Sequence, residues 1–206
     1  MKKNLFIAFE GIDGSGKSTQ VKLIAEKMEA NGHKVHTTCE PTTGPIGKII
    51  RDIFNHRIEG DQRTIAALFA ADRLEHILNA KEGIRKKLEE GFTVITDRYY
   101  FSSYAYHSVH VSMDWVIEIN RLSAELLRPD LNIYIDISPE VSMERLRKDR
   151  SSMEMYETLE NQRNVYAKYE EAFARLKGQE KIASVNGRQT PEEIAQEILK
   201  IVKGIG

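Results

Sequence analysis

The chain has 206 residues, of which 41% are hydrophobic and 30% are charged, and its formal net charge is -1. This composition is typical of a globular protein and argues against disorder, and the balanced charge provides no basic field for binding nucleic acid or a membrane. A single cysteine, Cys39, cannot form an intrachain disulfide and favours a reducing, cytoplasmic compartment. The length favours one domain, residues 1–206, with a mobile appendage.

Five short strand-like segments alternate with longer helical patterns along the chain. The segments are LFIAFE (5–10), VHTTC (35–39), FTVITD (92–97), LNIYIDI (131–137) and KIASVN (181–186). Runs that are apolar at nearly every position predict strands buried on both faces, and hence a parallel sheet. The sequence therefore predicts an α/β fold in which helices flank a doubly wound, five-stranded parallel sheet in three layers.

The stretch EGIDGSGKST, residues 10–19, follows the first predicted strand directly and contains the pattern GxxxxGK[ST]. Its three glycines allow a tight turn whose backbone N–H groups point at a phosphate chain, and the next helix, predicted over 17–30, adds its positive N-terminal end. Lys17 then reaches the β and γ phosphates, and the Ser18 hydroxyl can ligate Mg²⁺. The alternative interpretation is a plain glycine-rich turn between a strand and a helix.

A long helical region extends from about residue 63 to Gly91. Over residues 64–80 one stripe is predicted to face the core, and it consists of Ala67, Ala71, Leu74 and Leu78. The opposite stripe carries Phe69, Arg73 and His76. A ring one turn from a guanidinium suits stacking on a base and hydrogen bonding to its carbonyl edge, although a single exposed phenylalanine is also normal on a protein surface.

The segment ITDRYYFSSYAYH (95–107) places Asp97 at the carboxyl end of a strand, where ligands bind in such sheets. Asp97 is a candidate to hold Mg²⁺ or its water, and Arg98 is a candidate to clamp a second phosphate; a surface ion pair is the alternative. The chain lacks the NKxD motif with which GTP switches recognise the base. Motor-type ATPases carry an acidic residue directly after the aspartate that corresponds to Asp97, whereas here Arg98 follows it. These features favour a kinase whose acceptor is itself charged.

The run RLRKDR (145–150) packs four basic residues into six positions and opens a segment, 145–157, that we predict to be the mobile appendage. Such a run is commonly a solvated helix face. In a phosphoryl-transfer enzyme it can also close over the donor and supply arginine to the transition state. The histidine pairs at 33 and 36 and at 107 and 110 lack accompanying cysteines or clustered carboxylates, so no structural metal site is expected.

Together these motifs resemble the thymidylate kinase family, over nearly the whole chain. The resemblance rests on GIDGSGKSTQ, EPTTGPIGKIIRDI, LFAADRLEH, DRYYFSSYAY and the basic run. It implies the P-loop NTPase fold with a short lid, ATP as phosphoryl donor, Mg²⁺, and phosphorylation of dTMP to dTDP. It also implies a homodimer packed through helices, for which one long amphipathic helix over 64–90 is a candidate.

The resemblance assigns roles to matching residues. Asp13 would accept a hydrogen bond from the 3′-hydroxyl, Phe69 would stack on thymine and Arg73 would read its O4. The remaining residues expected at dTMP are Glu40, Pro41, Arg51, Arg98, Ser102, Ser103 and Tyr106. Glu40 and Pro41 match the family's Glu-Pro turn, Arg51 and Arg98 would hold the acceptor phosphate, and Tyr106 would disfavour ribose. The residues expected at ATP are Gly11, Ile12, Asp13, Gly14, Ser15, Gly16, Lys17, Ser18, Thr19 and Arg188.

Two departures from the family pattern stand out. Cys39 precedes the Glu-Pro turn where arginine is common, and Thr42-Thr43-Gly44 follows it where two glycines are common. The phosphate loop contains no arginine, so the catalytic arginine is expected from the lid, from among Arg145, Arg147 and Arg150. The other residues expected to be catalytic are Lys17, Asp97 and Arg98. Two rivals stay open: a deoxynucleoside kinase with Glu40 as base, and a nucleotide-binding regulator without turnover.

Overall fold

The computed structural model describes residues 4–149 and 158–205. Within these ranges the strands are Phe6–Glu10 (β1), Val35–Cys39 (β2), Thr93–Asp97 (β3), Leu131–Asp136 (β4) and Ile182–Asn186 (β5). The helices are Lys17–Ala30 (α1), Pro45–Phe54 (α2), Gln62–Leu78 (α3), Ile84–Glu89 (α4), Tyr100–His107 (α5), Met113–Leu126 (α6), Pro139–Asp149 (α7), Leu159–Arg175 (α8) and Pro191–Lys203 (α9). The predicted strands and the helix at 17–30 are confirmed.

All strand pairs are parallel, and the sheet that the described residues form has the order β2-β3-β1-β4-β5. Side chains of β1 alternate between two cores: Phe6 and Ala8 face α3, α4, α5, α6 and α8, whereas Ile7 and Phe9 face α1 and α9. Burying a large apolar side chain contributes about 1.5–3 kcal/mol, which explains why the central strands β1, β3 and β4 carry successive apolar residues. The edge strands β2 and β5 carry polar residues and are only partly buried, so the expectation of burial on both faces is wrong for them. The predicted three-layer P-loop fold is confirmed.

The strand order places the functional loops together. β1 pairs with β3 on one side and β4 on the other, so the connection from β3 to β4 crosses β1. In open α/β sheets the crevice beside such a crossover, at the carboxyl ends of the strands, is where ligands bind. The glycine loop after β1, the Glu40-Pro41 turn after β2 and Asp97-Arg98 after β3 all lie at this edge.

The single helix expected over 64–90 is wrong, because two helices occupy this region. The side chain of Asn79 accepts the backbone N–H groups of Lys81 and Glu82 at 3.0 Å each, which ends α3 in a turn. At Gly83, where α4 begins, a Cβ atom would lie 2.4 Å from the Asn79 carbonyl oxygen, so the turn admits only glycine.

The predicted core face of α3 is also wrong. Leu78 is 50% exposed and Ala67 is exposed, whereas Asp72, Arg73 and His76 are buried. The physical reason is that the polar side chains find partners in the loop after β2: Asp72 accepts Thr42 N at 2.7 Å and Thr42 Oγ1 at 2.6 Å. A buried polar group that is hydrogen-bonded loses little free energy on burial, so the amphipathic pattern misassigned the inner side.

The first part of the predicted mobile appendage, residues 145–149, is helical and forms the C-terminal end of α7. Arg150 and the rest of the predicted lid, 150–157, lie outside the described residues. No helix in the described part of the chain is both long and apolar enough to cross a membrane.

Candidate active site

The glycine loop between β1 and α1 has the conformation that the motif requires. Gly11, Gly14 and Gly16 have φ angles of 144°, 70° and 97°, a region that favours glycine. A Cβ atom at Gly11 would lie 2.8 Å from the Ile135 carbonyl oxygen, and one at Gly14 would lie 2.9 Å from that of Ser142. A Cβ atom at Gly16 would meet no such neighbour within 4 Å, so the space beside this glycine is open.

Lys17 points back over this loop. Its Nζ donates to the carbonyl oxygens of Gly11 and Ile12 at 3.0 Å each and contacts Ser15 Oγ at 3.4 Å. Burial, together with the nearby Arg98 guanidinium, lowers the pKa of Lys17 to about 8, against the opposing effect of Asp97, Asp13 and Glu10. An anion in the loop would favour the charged ammonium, so the site is electrostatically prepared for phosphate.

Ser18 and Asp97 form the pair predicted to hold a metal ion. Ser18 Oγ donates to Asp97 Oδ2 at 2.5 Å, and Asp97 Oδ1 is buried without a hydrogen-bond partner in the described structure. An unpaired carboxylate oxygen beside a hydroxyl fits Mg²⁺, which proteins bind through one or two carboxylates together with substrate phosphates. The described residues contain no group of three His, Cys, Asp or Glu that could hold a metal alone, so phosphate oxygens would complete the shell.

Arg98 lies where the glycine loop meets β3. It has a φ of 73°, which is uncommon for a residue with a side chain and occurs at functional sites. Its Nη2 pairs with Asp13 Oδ1, its Nη1 donates to Ser102 Oγ at 3.0 Å, and its guanidinium lies 4.8 Å from the Tyr106 ring centroid. Burial raises the pKa of Asp13, but Arg98 and Lys17 outweigh it and the net pKa is lowered, so the carboxylate is charged.

Two cavities open on either side of the pair formed by Asp13 and Arg98. One, of about 650 Å³, is lined by the glycine loop from Asp13 to Thr19 and by residues of α7, the β5–α9 turn and α9. The other, of about 390 Å³, is lined by the Cys39-Glu40-Pro41 turn and by α2, α3 and α5. Both cavities are lined by Asp13, Asp97 and Arg98. Two ligands would therefore meet end to end at this carboxylate and guanidinium cluster.

All ten residues predicted for the acceptor nucleotide line the smaller cavity. They are Asp13, Glu40, Pro41, Arg51, Phe69, Arg73, Arg98, Ser102, Ser103 and Tyr106. Phe69 lies between Phe54 and His107, with ring centroids 6.0 and 4.9 Å away, so its ring is fixed as a wall of the cavity. Arg51 donates to the Pro41 carbonyl oxygen at 3.0 Å, which ties α2 to the turn after β2.

Arg73 is held by a buried polar network. Glu40 Oε2 accepts Arg73 Nε at 2.9 Å and Nη2 at 2.6 Å, and Ser103 Oγ accepts Nη2 at 3.0 Å. Asn120 Oδ1 accepts the other terminal nitrogen, and His76 Nδ1 lies 3.1 Å from Glu40 Oε1. Both oxygens of Glu40 are thus engaged, so its geometry fits the counterion of Arg73 and not a base that deprotonates an acceptor hydroxyl.

The predicted donor residues are only partly brought together. The larger cavity is lined by Asp13, Gly14, Ser15, Gly16, Lys17, Ser18 and Thr19, whereas Gly11 and Ile12 are buried and do not line it. Arg145 lines it and donates to the carbonyl oxygens of Ser15 at 3.4 Å and Gly187 at 2.8 Å. Arg147 is exposed and lies on a different surface, beside Glu140 and Leu159. Arg188 is exposed and donates to Ser138 Oγ at 3.3 Å, outside the residues that line the cavity.

Sequence reasoning missed several buried polar residues that support the site. They are Glu10, Asp72, Asn120 and Tyr169. Glu10 could have been noticed, because an acid at the end of an apolar strand stands next to the glycine loop in the sequence. Tyr169 and Asn120 lie far along the chain from their partners, and neither carries a local signal, so only the folded structure identifies them.

Comparison with known proteins gives a matching family model and several relatives. A family model described as Thymidylate kinase matches residues 9–198. A probable thymidylate kinase of Methanococcus aeolicus is 42% identical over 203 residues, covering 96% of this chain and 95% of that protein. A probable thymidylate kinase of Pyrococcus abyssi is 39% identical, covering 98% of this chain and 97% of that protein. A probable thymidylate kinase of Methanocaldococcus jannaschii is 37% identical, covering 100% of this chain and 99% of that protein.

Proposed function

The chain belongs to the thymidylate kinase family, and we propose that it is a phosphotransferase that uses ATP to phosphorylate dTMP, yielding dTDP and ADP. The single observation that carries this proposal is the junction of two cavities at Asp13, Asp97 and Arg98. One cavity has a phosphate-binding loop, and the other has an aromatic wall and a buried arginine. A nucleoside triphosphate and a nucleoside monophosphate fit these two chemistries, with their phosphates meeting at the junction.

In the larger cavity the backbone N–H groups of the glycine loop and Lys17 bind the donor phosphates. Mg²⁺, held by Ser18 and Asp97 and by phosphate oxygens, would neutralise charge between the β and γ groups when bound. Arg145 already contacts the loop and is therefore better placed than Arg147 to approach the donor. A role for Arg150 and closure of a lid over 145–157 remain predictions.

In the smaller cavity Phe69 stacks on the base and Arg73 donates to its carbonyl edge, while Asp13 accepts the sugar 3′-hydroxyl. Arg98 and Arg51 hold the acceptor phosphate, and Ser102, Ser103 and Tyr106 line the sugar and base. Thr42 fixes this wall through Asp72, which gives the unusual Thr42-Thr43-Gly44 turn a structural role.

The chemistry needs no general base. A phosphate monoester has a second pKa near 6, so its attacking oxygen is largely deprotonated at neutral pH. What the protein supplies is alignment of two polyanions and neutralisation of their mutual repulsion by Lys17, Arg98 and Arg51. Because these cations are fixed before the reaction, they stabilise the transition state without reorganising.

Three wider features belong to the same proposal. Residues 1–206 act as one kinase domain, and the free, exposed Cys39 suits a cytoplasmic compartment. The chain forms a homodimer through the packed helices α3 and α6, which expose Leu78, Trp115 and Leu122 at 50%, 37% and 49%. Sedimentation of wild type and Leu78→Asp tests this, since a wild-type monomer would refute the dimer.

The function is tested by ADP release over a panel of nucleoside monophosphates, with thymidine included. We expect dTMP to give the highest kcat/KM and thymidine to give none. Lys17→Ala should lower turnover by about 10²–10³-fold, as removal of one charge-stabilising donor does, while Lys22→Ala, an exposed lysine on the same helix, should not. Preference for thymidine, or full activity of Lys17→Ala, would contradict the proposal.

A further inference from the structure

Glu10 is a buried carboxylate that the mechanism above does not use. It is the last residue of β1 and is fully buried, and it lines neither cavity. Its Oε1 accepts Tyr99 N at 2.9 Å, and its Oε2 accepts Ser102 Oγ at 2.6 Å and Tyr169 OH at 3.0 Å. Glu10 therefore connects β1 to the start of α5 and to α8, without access to either substrate.

The bonds of Glu10 extend to both halves of the site. Ser102 Oγ, which donates to Glu10, accepts Arg98 Nη1 at 3.0 Å. Tyr169 OH lies 3.3 Å from both the N and the O of Gly11, the first glycine of the phosphate loop. One carboxylate thus links the guanidinium at the acceptor cavity to the loop of the donor cavity.

This link bears on how accurately the Arg98 guanidinium is positioned between the two cavities. Arg98 has a backbone conformation with φ 73°, and its guanidinium is shared among Asp13, Ser102 and Tyr106. A long side chain with several alternative acceptors needs a fixed partner network to keep one position. A displacement of 1 Å between reacting groups can cost about a hundredfold in rate.

We propose that Glu10 is a positioning residue for phosphoryl transfer, which through Ser102 and Tyr169 holds Arg98 in register with the glycine loop; the inference rests on the function proposed above. It acts on alignment and not on binding, since it contacts no substrate. Loss of its charge is therefore expected to lower kcat and to leave the two KM values nearly unchanged.

A purely structural role would not require a charge at this position. Burial raises the pKa of Glu10 to about 7, with opposing contributions from Ser102, Arg98, Tyr169 and the Tyr99 N–H. The charged and titratable groups that face it are Arg98 from β3–α5, Lys17 from α1, Tyr104 from α5 and Tyr169 from α8. Ionised Glu10 is a better acceptor for Ser102 than a neutral amide, and this orients the serine lone pair toward Arg98.

The experiment measures kcat and both KM values from pH 6 to 9 for wild type, Glu10→Gln, Tyr169→Phe and Glu180→Gln. Glu180 is the matched control, because its side chain is 3% exposed and pairs with Arg128 away from both cavities. We expect Glu10→Gln to lower kcat tenfold or more, with each KM within about threefold. Tyr169→Phe should lower kcat less, and Glu180→Gln should not change it.

The pH profile separates positioning from general damage. Every variant should retain an acid limb from the dTMP phosphate, near pH 6. In wild type, kcat should also fall as the pH is lowered through about 7, because Glu10 becomes protonated there. Glu10→Gln should lack this additional fall. A folded Glu10→Gln with wild-type kcat, or with raised KM alone, would overturn the inference. If Glu10→Gln fails to fold, wild-type kcat in Tyr169→Phe overturns it, whereas a wild type inactive on dTMP refutes the proposed function itself.

Discussion

Replacing Glu10 by Gln should change how the stability of the protein depends on pH. The pKa of Glu10 rises from its ordinary value of 4.5 to about 7 in the folded protein, chiefly because the carboxylate is fully buried. A group with a raised folded pKa contributes stability that is fully present below its unfolded pKa and is lost as pH rises through its folded pKa. The window for Glu10 is therefore about pH 4.5 to 7.

The size of this effect follows from the two pKa values. One pKa unit corresponds to about 1.4 kcal/mol, so integration between pH 5 and pH 8 gives a loss of about 2.5 kcal/mol from Glu10. Glutamine does not titrate, so the unfolding free energy of Glu10→Gln relative to wild type should rise by about that amount from pH 5 to pH 8. Taking this difference cancels all the other groups that titrate in both proteins.

Urea unfolding at several pH values measures the difference directly. Glu193→Gln is the control: Glu193 completes the capping box of α9 and its backbone and side-chain bonds to Thr190 lower its pKa, so its titration lies below pH 4.5. The unfolding free energy of Glu193→Gln relative to wild type should not change from pH 5 to pH 8. A flat curve for Glu10→Gln as well would refute the reasoning, because Glu10 would then titrate as an ordinary surface carboxylate.

Three further predictions concern other parts of the site. Phe69→Ala should raise the KM for dTMP by about 5- to 150-fold, the equivalent of 1–3 kcal/mol of base stacking, with the KM for ATP unchanged; equal effects on both would contradict the assignment of the cavities. Burial lowers the pKa of His107 to about 3, so its neutral form supports stability above pH 6.5, and about 2 kcal/mol should be lost between pH 7 and pH 5; His107→Gln should abolish this part of the acid loss in urea unfolding. Gly14→Ala should lower thermal stability more than Gly16→Ala, because both have positive φ but only at Gly14 does a Cβ atom meet a backbone oxygen, that of Ser142 at 2.9 Å; calorimetry showing the reverse order would count against the loop geometry.

The donor loop and the strands could be predicted from sequence because their signals are local. Glycines at fixed spacing, a lysine and a hydroxyl determine one backbone turn, and the successive apolar residues of β1, β3 and β4 determine buried parallel strands. The acceptor residues were located through the family resemblance, and the structure brings ten of the predicted positions to one cavity. Arg188, expected at the donor, donates to Ser138 Oγ and does not line the larger cavity, so its role at ATP stays a prediction.

The orientation of α3 shows where sequence reasoning failed. An amphipathic pattern assumes that apolar residues face inward, yet Asp72, Arg73 and His76 face inward on this helix and Leu78 faces solvent. The assumption fails because the free energy of burying a polar group depends on whether partners are present. Those partners, Thr42 for Asp72 and Glu40 for Arg73, lie 30 and 33 positions away in the chain.

The sequence by itself determined the phosphate loop, the parallel sheet and the family, since each is set by residues that are neighbours in the chain or by a pattern repeated along it. Only the tertiary structure decided which charged side chains are buried together. Hydrogen bonding and desolvation depend on distances between residues such as Glu10 and Tyr169, which are 159 positions apart and 3.0 Å from each other in the fold. A contact of that kind exists only once the sheet has brought its strands and helices into register.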